Sequence, residues 1–267
     1  MIRHILHTVK QIIHINWIKT LYLNFRLLPF KQAIKFPFVI FGKTKLRELS
    51  GKATFNCPIK FRLINIGLDV DNMPITFAPT QIKIQGNLEI GGNIIINKGA
   101  NFVVWPNASM KLGNDVMICS GVTLKATNKV TVGNHVMISS GCFIMDNSIH
   151  CIYNTATCET SAPYGEIYIG NNVWLNMYTD IIKNGYIPNG CITTRYTFIN
   201  KTFSEDNSNC ILAGQPAKII KAGYSQIHNF TTEKFINNYF RKKNNKKVIS
   251  LTRDQLISEN LVEKIIS

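Results

Sequence analysis

From Ile169 the chain reads IGNNVW LNMYTD IIKNGY IPNGCI TTRYTF, after which Ile199 opens another step of six. Counting by six from Ile169 meets Leu175, Ile181, Ile187, Thr193 and Ile199. Two earlier registers repeat the pattern, Leu112-Ile118-Leu124 and Val132-Ile138-Ile144, and a rougher one precedes them at Ile90, Ile96 and Phe102. The first residue of each hexad is aliphatic, Thr193 excepted. The fifth is usually small or β-branched, as at Val116, Val122, Val136, Cys142, Ser148, Val173, Thr179, Gly185, Cys191 and Thr197, with Asn128 the outlier. A period of six suits neither a 3.6-residue helix nor an alternating strand. It suits a solenoid whose coil has three flat sides of about six residues each. First-position side chains then point inward and stack on their neighbours in adjacent coils. Fifth positions sit near corners, where space is short. The pairs Gly113-Asn114, Gly133-Asn134 and Gly170-Asn171 are expected to take the turn positions that need positive φ.

Outside the hexads the composition changes. The 267 residues carry a formal charge of +15, which invites a nucleic-acid reading. Residues 1–47, however, hold nine Lys or Arg and no acid, residues 218–267 hold ten basic and four acidic, and the middle is neutral with eleven of each. A basic groove through the central domain is therefore not expected, and no aromatic RNA-binding motif or phosphate-binding Gly loop is present. With 45% hydrophobic and 17% charged residues, the chain has the material for a substantial core. Its seven cysteines form no C-x-x-C pair, and read as reduced, mostly buried thiols of a cytoplasmic protein. No apolar run reaches the ~18 residues of a membrane span. His4, His7, Lys10 and His14 interrupt any signal-peptide core. Ile2, Ile5, Leu6, Val9, Ile12 and Ile13 recur at helical spacing, so an amphipathic helix is expected up to about Leu28, broken at Pro29. The organisation expected is a basic amphipathic segment 1–47, a solenoid 48–222 and a basic helical extension 223–267.

The register that ends at Ile144 resumes only at Ile169, so residues 151–166, with Thr155, Thr157, Thr160, Ser161, Pro163 and Gly165, are expected to leave the coil as a loop. His150 stands at its base. An imidazole, which titrates near neutrality at about 6.5 when unperturbed, is well suited there to act as a general base. Asp146 and Ser148 are the neighbours placed to hold its tautomer. A loop histidine without catalytic duty is the alternative from spacing alone.

These residues resemble the hexapeptide-repeat acyltransferases, and among them the polysaccharide and serine O-acetyltransferases. The resemblance spans roughly residues 50–222 and implies a mainly β fold, a left-handed parallel β-helix with helical flanks. The segment Asp146-Asn147-Ser148-Ile149-His150 resembles the family's D-x-D-x-H, whose His deprotonates the acceptor hydroxyl, with Ser148 in place of the second acid. Ile169-Gly170-Asn171-Asn172-Val173-Trp174-Leu175-Asn176 resembles I-G-x-x-V-W-I-G, with Asn176 replacing Gly. Ile187-Pro188-Asn189-Gly190-Cys191-Ile192 resembles I-P-x-G-x-I, and Ala213-Gly214-Gln215-Pro216-Ala217-Lys218 resembles the closing A-G-x-P-A-K. By that resemblance Trp174, Asn176, Thr194, Arg195, Ala213, Gly214 and Lys218 line the path of coenzyme A. Thr194-Arg195-Tyr196 is bulkier than the family's Ala-rich stretch.

The activity implied is transfer of acetyl from acetyl-CoA to a sugar hydroxyl in capsule or surface-polysaccharide assembly. His150 is the base, and no cysteine nucleophile or metal takes part. Zinc would need three His, as in the β-helical carbonic anhydrases, and only His135 and His150 lie outside the flanks. The resemblance also implies a homotrimer with sites between subunits. The acid-free N-terminus suits peripheral contact with an anionic membrane at the cytoplasmic face. The competing expectation is a β-helix that has lost catalysis and binds a glycan or protein partner.

Overall fold

A computed structural model of the protein describes residues 14–71, 78–227 and 230–242. Residues up to Ser225 form one compact unit, and those from Gln226 a second, in which Phe230–Lys242 is helical. The first unit is a parallel β-helix with three sheets for its sides, of nine, seven and six strands. Each coil visits the nine-stranded, then the seven-stranded, then the six-stranded sheet; the fourth, for example, uses Val116–Ile118, Thr123–Ala126 and Lys129–Val132.

The hexads explain the stacking. Along the nine-stranded sheet Ile96, Ile118, Ile138 and Leu175 lie in register. Along the seven-stranded sheet the column is Phe102, Leu124, Ile144, Ile181, Ile199, and along the six-stranded sheet Ile90, Leu112, Val132, Ile169, Ile187. All of these side chains are buried. Thr193 holds the inward position with its hydroxyl satisfied, accepting from the Asn176 N–H at 2.9 Å and bonding the Thr179 hydroxyl at 2.7 Å. That removes the penalty for a buried polar group.

The Gly-Asn corners work differently from the expectation. Left-handed φ falls on the following residue, at Asp115, His135 and Asn172. The glycines are needed for close approach instead: a Cβ on Gly113 would lie 2.5 Å from the Gly133 backbone, and one on Gly133 2.6 Å from that of Gly170. The asparagines form a ladder. The side-chain oxygens of Asn114, Asn134, Asn171 and Asn189 accept in turn from the N–H groups of Asn93, Asn114, Asn134 and Asn171, at 2.6–2.9 Å.

The coil also starts earlier than expected. Phe38–Ile40, Thr44–Leu46 and Lys52–Phe55 make a complete first turn, so the boundary drawn at residue 47 falls inside it. Its exposed edge is covered by the helix Trp17–Leu27. The Thr20 hydroxyl accepts from Ile40 N–H at 3.0 Å. The Asn24 amide donates to the Phe38 carbonyl at 2.7 Å and accepts from its N–H at 3.1 Å. An open sheet edge is thereby blunted. The apolar spacing noted between Ile2 and Ile13 lies outside the described residues. At the other end Lys218–Ala222 turns back antiparallel on Cys210–Ala213 and closes the sheet.

Candidate active site

The His150 loop is pinned at its base by Asp146. That carboxylate is fully buried. One oxygen accepts from the N–H and hydroxyl of Thr127, both at 2.7 Å, and the other from the N–H groups of Asn128 and Lys129 at 2.8 and 2.7 Å. Gly165 N–H returns to the Asp146 carbonyl at 2.8 Å, so the loop leaves at Asn147 and rejoins before Glu166. It thus starts earlier than expected and contains His150 rather than following it. Bridges Asn147↔Tyr164 and Tyr153↔Thr160 make it a narrow arm.

His150 N–H donates to the Ser148 carbonyl at 2.7 Å across Ile149, whose φ is +67°. This is a γ-turn of the strained hand, with a β-branched residue at its centre. Strain of this kind collects where a side chain must be presented in one place. The turn leaves His150 exposed. Neither neighbour expected to orient its imidazole does so. Asp146 spends its oxygens on the turn beneath, and the Ser148 hydroxyl faces the carbonyls of His150 and Pro163, at 3.1 and 3.2 Å. Both residues shape the loop rather than the ring.

The residues expected along the donor path gather on another corner, between the nine- and seven-stranded sheets. Trp174, on the nine-stranded sheet, donates its indole N–H to the Ser139 hydroxyl at 2.9 Å. Asn176 follows at the corner, where its carbonyl accepts from the Cys142 thiol at 3.1 Å and the Thr179 hydroxyl at 2.8 Å. It does not take the left-handed conformation that would have let it stand in for glycine; Tyr178 does. Thr194 N–H donates to Leu212 and Phe198 N–H to Gly214, which sets Thr194-Arg195-Tyr196 beside Ala213-Gly214. Lys218 is exposed at the start of the closing strand.

This corner carries a feature the sequence reading missed. Three residues after the inward side chain, successive coils place Gly99, Gly121 and Gly141 at φ of +71°, +70° and +75°, but then Tyr178 and Tyr196 at +57° and +60°. A side chain pays about 1–2 kcal/mol in that region. The two rings stack at 5.2 Å and 14°, and the Tyr178 ring lies so close over Gly141 that a Cβ there would come within 2.5 Å of it. The Arg195 guanidinium sits 5.0 and 4.7 Å from the two ring centres and donates to the Tyr196 hydroxyl at 3.0 Å. No carboxylate among the described residues pairs with it. The signal was present: glycine gives way to tyrosine at one hexad position in two consecutive coils. Asp71 also escaped notice. Its carboxylate accepts from the N–H and hydroxyl of Ser120, both at 2.7 Å, and from the Ser140 hydroxyl at 2.9 Å, which ties the segment before residue 72 to this corner.

Cys119, Cys142, Cys191 and Cys210 are buried, in line with the expectation of mostly buried thiols, and Cys151 and Cys158 are exposed on the loop. Burial pushes Cys119 and Cys142 up to about 12, which keeps them protonated and poor nucleophiles. Among the described residues no group of three His, Cys, Asp or Glu is arranged to hold a metal ion. No helix among them is long and apolar enough to cross a membrane.

No protein-family model matches the chain. It is 27% identical over 206 residues, 76% of its length, to 87% of an uncharacterized 24.8 kDa protein in the cps region of Klebsiella pneumoniae. It is 25% identical over 162 residues, 56% of its length, to 79% of the putative lipopolysaccharide biosynthesis O-acetyl transferase WbbJ of Escherichia coli K12. A polysialic acid O-acetyltransferase of Escherichia coli O1:K1 is 26% identical over 140 residues, which cover 52% of this chain and 42% of that one. Coils of six-residue sides, a loop histidine and a closing Ala-Gly-Gln-Pro-Ala-Lys thus stand in a chain that resembles the hexapeptide-repeat acyltransferases and whose curated relatives include two named as O-acetyltransferases.

Proposed function

We propose that the protein transfers an acetyl group from acetyl-CoA to a sugar hydroxyl of a capsule or other surface polysaccharide. The observation that carries this reading is the presentation of His150. A buried carboxylate anchors the start of its loop, and a strained turn then holds the imidazole out from the wall. His150 takes the proton of the acceptor hydroxyl as its oxygen attacks the thioester carbonyl. The tetrahedral intermediate collapses to the sugar ester, and the departing thiolate recovers the proton from the imidazolium. Backbone N–H groups stabilise the oxyanion, each worth about 2.7–4 kcal/mol. No acyl-enzyme forms, in keeping with the buried, protonated thiols of Cys119 and Cys142.

Arg195, held flat by two tyrosines and paired with no carboxylate among the described residues, and exposed Lys218 are the cations suited to the phosphates of the donor. Within one chain the donor corner and the His150 loop lie at opposite ends of the strands of the seven-stranded sheet. This separation favours a homotrimer in which one protomer's His150 meets a neighbour's donor corner. A cytoplasmic site of action follows from the use of acetyl-CoA.

The second reading, a β-helix that binds a glycan without catalysis, is favoured by the tyrosine stack standing where small residues would leave the donor arm free. Equilibrium binding of acetyl-CoA separates the two. Micromolar to submillimolar binding is expected, with His150→Ala retaining it while turnover falls about 10²–10⁴-fold. No binding at millimolar donor overturns the transferase reading, and full turnover by His150→Ala moves the base elsewhere. Mass spectrometry of the surface glycan with and without the protein should show one acetyl group lost per modified sugar.

A further inference from the structure

The helix Trp17–Leu27 is built inside out. Its buried face is Thr20, Leu23, Asn24 and Leu27, and both polar members are consumed by the sheet edge they cover. Its outward face is Trp17, Ile18, Leu21, Tyr22 and Phe25, with Ile18 82% and Tyr22 56% exposed. A helix of a soluble protein ordinarily directs its apolar stripe to the core. Here that stripe faces away, and it is continued by other rings. Phe30, 70% exposed, lies 5.9 Å from Phe25, and Phe61 stacks 6.5 Å from Trp17. A contiguous exposed apolar patch of this kind marks an interaction surface.

The charge around the patch identifies the partner. A groove lined by Ile18, Lys19, Tyr22, Lys45, Leu46 and Arg47 sets three cations directly against it. Lys19 bonds the Thr44 carbonyl at 2.5 Å and Arg47 the Gln81 side chain at 3.3 Å, so both are held in place by neutral partners. No acid occurs before Glu48. We propose that this outward helix face docks the protein on a bilayer surface carrying anionic lipids. The apolar and aromatic side chains enter the headgroup boundary, and the lysines and arginines meet lipid phosphates. The aromatic edge groups suit that boundary because their rings are apolar while the Trp and Tyr tips bond water. Four coil steps of about 4.8 Å, about 19 Å in all, separate the first coil, which this helix covers, from the coil that bears His150. Docking is independent of the acetyl-transfer reading.

The test is co-sedimentation of the full chain with vesicles of phosphatidylcholine alone and of phosphatidylcholine with one quarter phosphatidylglycerol. Binding to the anionic vesicles is expected, weakening as salt rises. The double variant Ile18→Glu/Tyr22→Glu should partition about 100-fold less, roughly tenfold for each side chain withdrawn, at unchanged oligomeric mass by sedimentation velocity. Equal binding by variant and parent overturns the proposal, as does failure of the parent to bind. A variant of lower oligomeric mass also overturns it, because the face is then covered by a second copy. Should the double variant misfold, brominated lipid in the anionic vesicles supplies the readout. Quenching must be greater for the parent than for Trp17→Phe, and no difference overturns the assignment.

Discussion

Asp146→Asn separates two readings of one carboxylate. In the structure Asp146 is a staple: four donors of the turn Thr127–Lys129 converge on it, two on each oxygen. Asparagine can keep the pair on one oxygen, but its amide turns a donor toward the Asn128 and Lys129 N–H groups. Each buried donor left without a partner costs about 1–3 kcal/mol. The turn is only part-buried, so the lower half of that range applies, and a loss of about 2–4 kcal/mol is expected. Urea unfolding followed by circular dichroism measures it, with an unchanged slope and an earlier midpoint. Turnover of the folded fraction should fall only as far as the loop loses its anchor, and the pH dependence of the rate should keep its shape. The result that refutes this reasoning is a variant as stable as the parent whose pH–rate profile is displaced. Asp146 would then be orienting the imidazole.

Tyr196→Gly trades about 1–2 kcal/mol of left-handed strain against about 0.5–1.5 kcal/mol of ring stacking and a similar cost of backbone freedom. Stability should therefore stay within about 1 kcal/mol of the parent. Acetyl-CoA should bind about tenfold more weakly by calorimetry, because Arg195 loses the ring and hydroxyl that hold it; unchanged affinity removes Arg195 from the donor site. Burial raises the Cys119 and Cys142 thiols from 9.0 to about 12. The folded state thus keeps protons that the unfolded chain releases, and their contribution is complete below pH 9 and lost as pH rises from about 9 towards 12. One unit above the unfolded value the loss is about 1.4 kcal/mol per thiol. The alkaline slope of the urea midpoint should flatten in Cys119→Ala/Cys142→Ala, and an identical slope would contradict the assignment.

The columns of the core were legible because a step of six assigns an inward residue without reference to any distant part of the chain. Leu112, Val132 and Ile169 stack as the spacing says. The Gly-Asn corners were located correctly but misjudged in mechanism. Which of three adjacent residues goes left-handed depends on the backbone of the next coil, which approaches too closely for a Cβ on Gly113 or Gly133. The N-terminal boundary was misplaced because the first coil, Phe38–Phe55, lacks the clean period and depends on a helix to cover its edge. The loop and its histidine were visible as a gap in the register.

By itself, then, the sequence determined the coil, its inward columns and the loop beside His150. These are local and repetitive, so the pattern of one chain suffices. Only the tertiary structure decided what each polar group does. It committed Asp146 to the turn beneath it and stacked Arg195 on two tyrosines from successive coils. It also turned the apolar side of Trp17–Leu27 outward, because Thr20 and Asn24 were needed to pair an open strand edge. The physical reason is the same each time. A hydrogen-bonding group goes where an unmet donor or acceptor is buried, and that place is set by residues 14 to 20 positions away along the chain rather than by its neighbours.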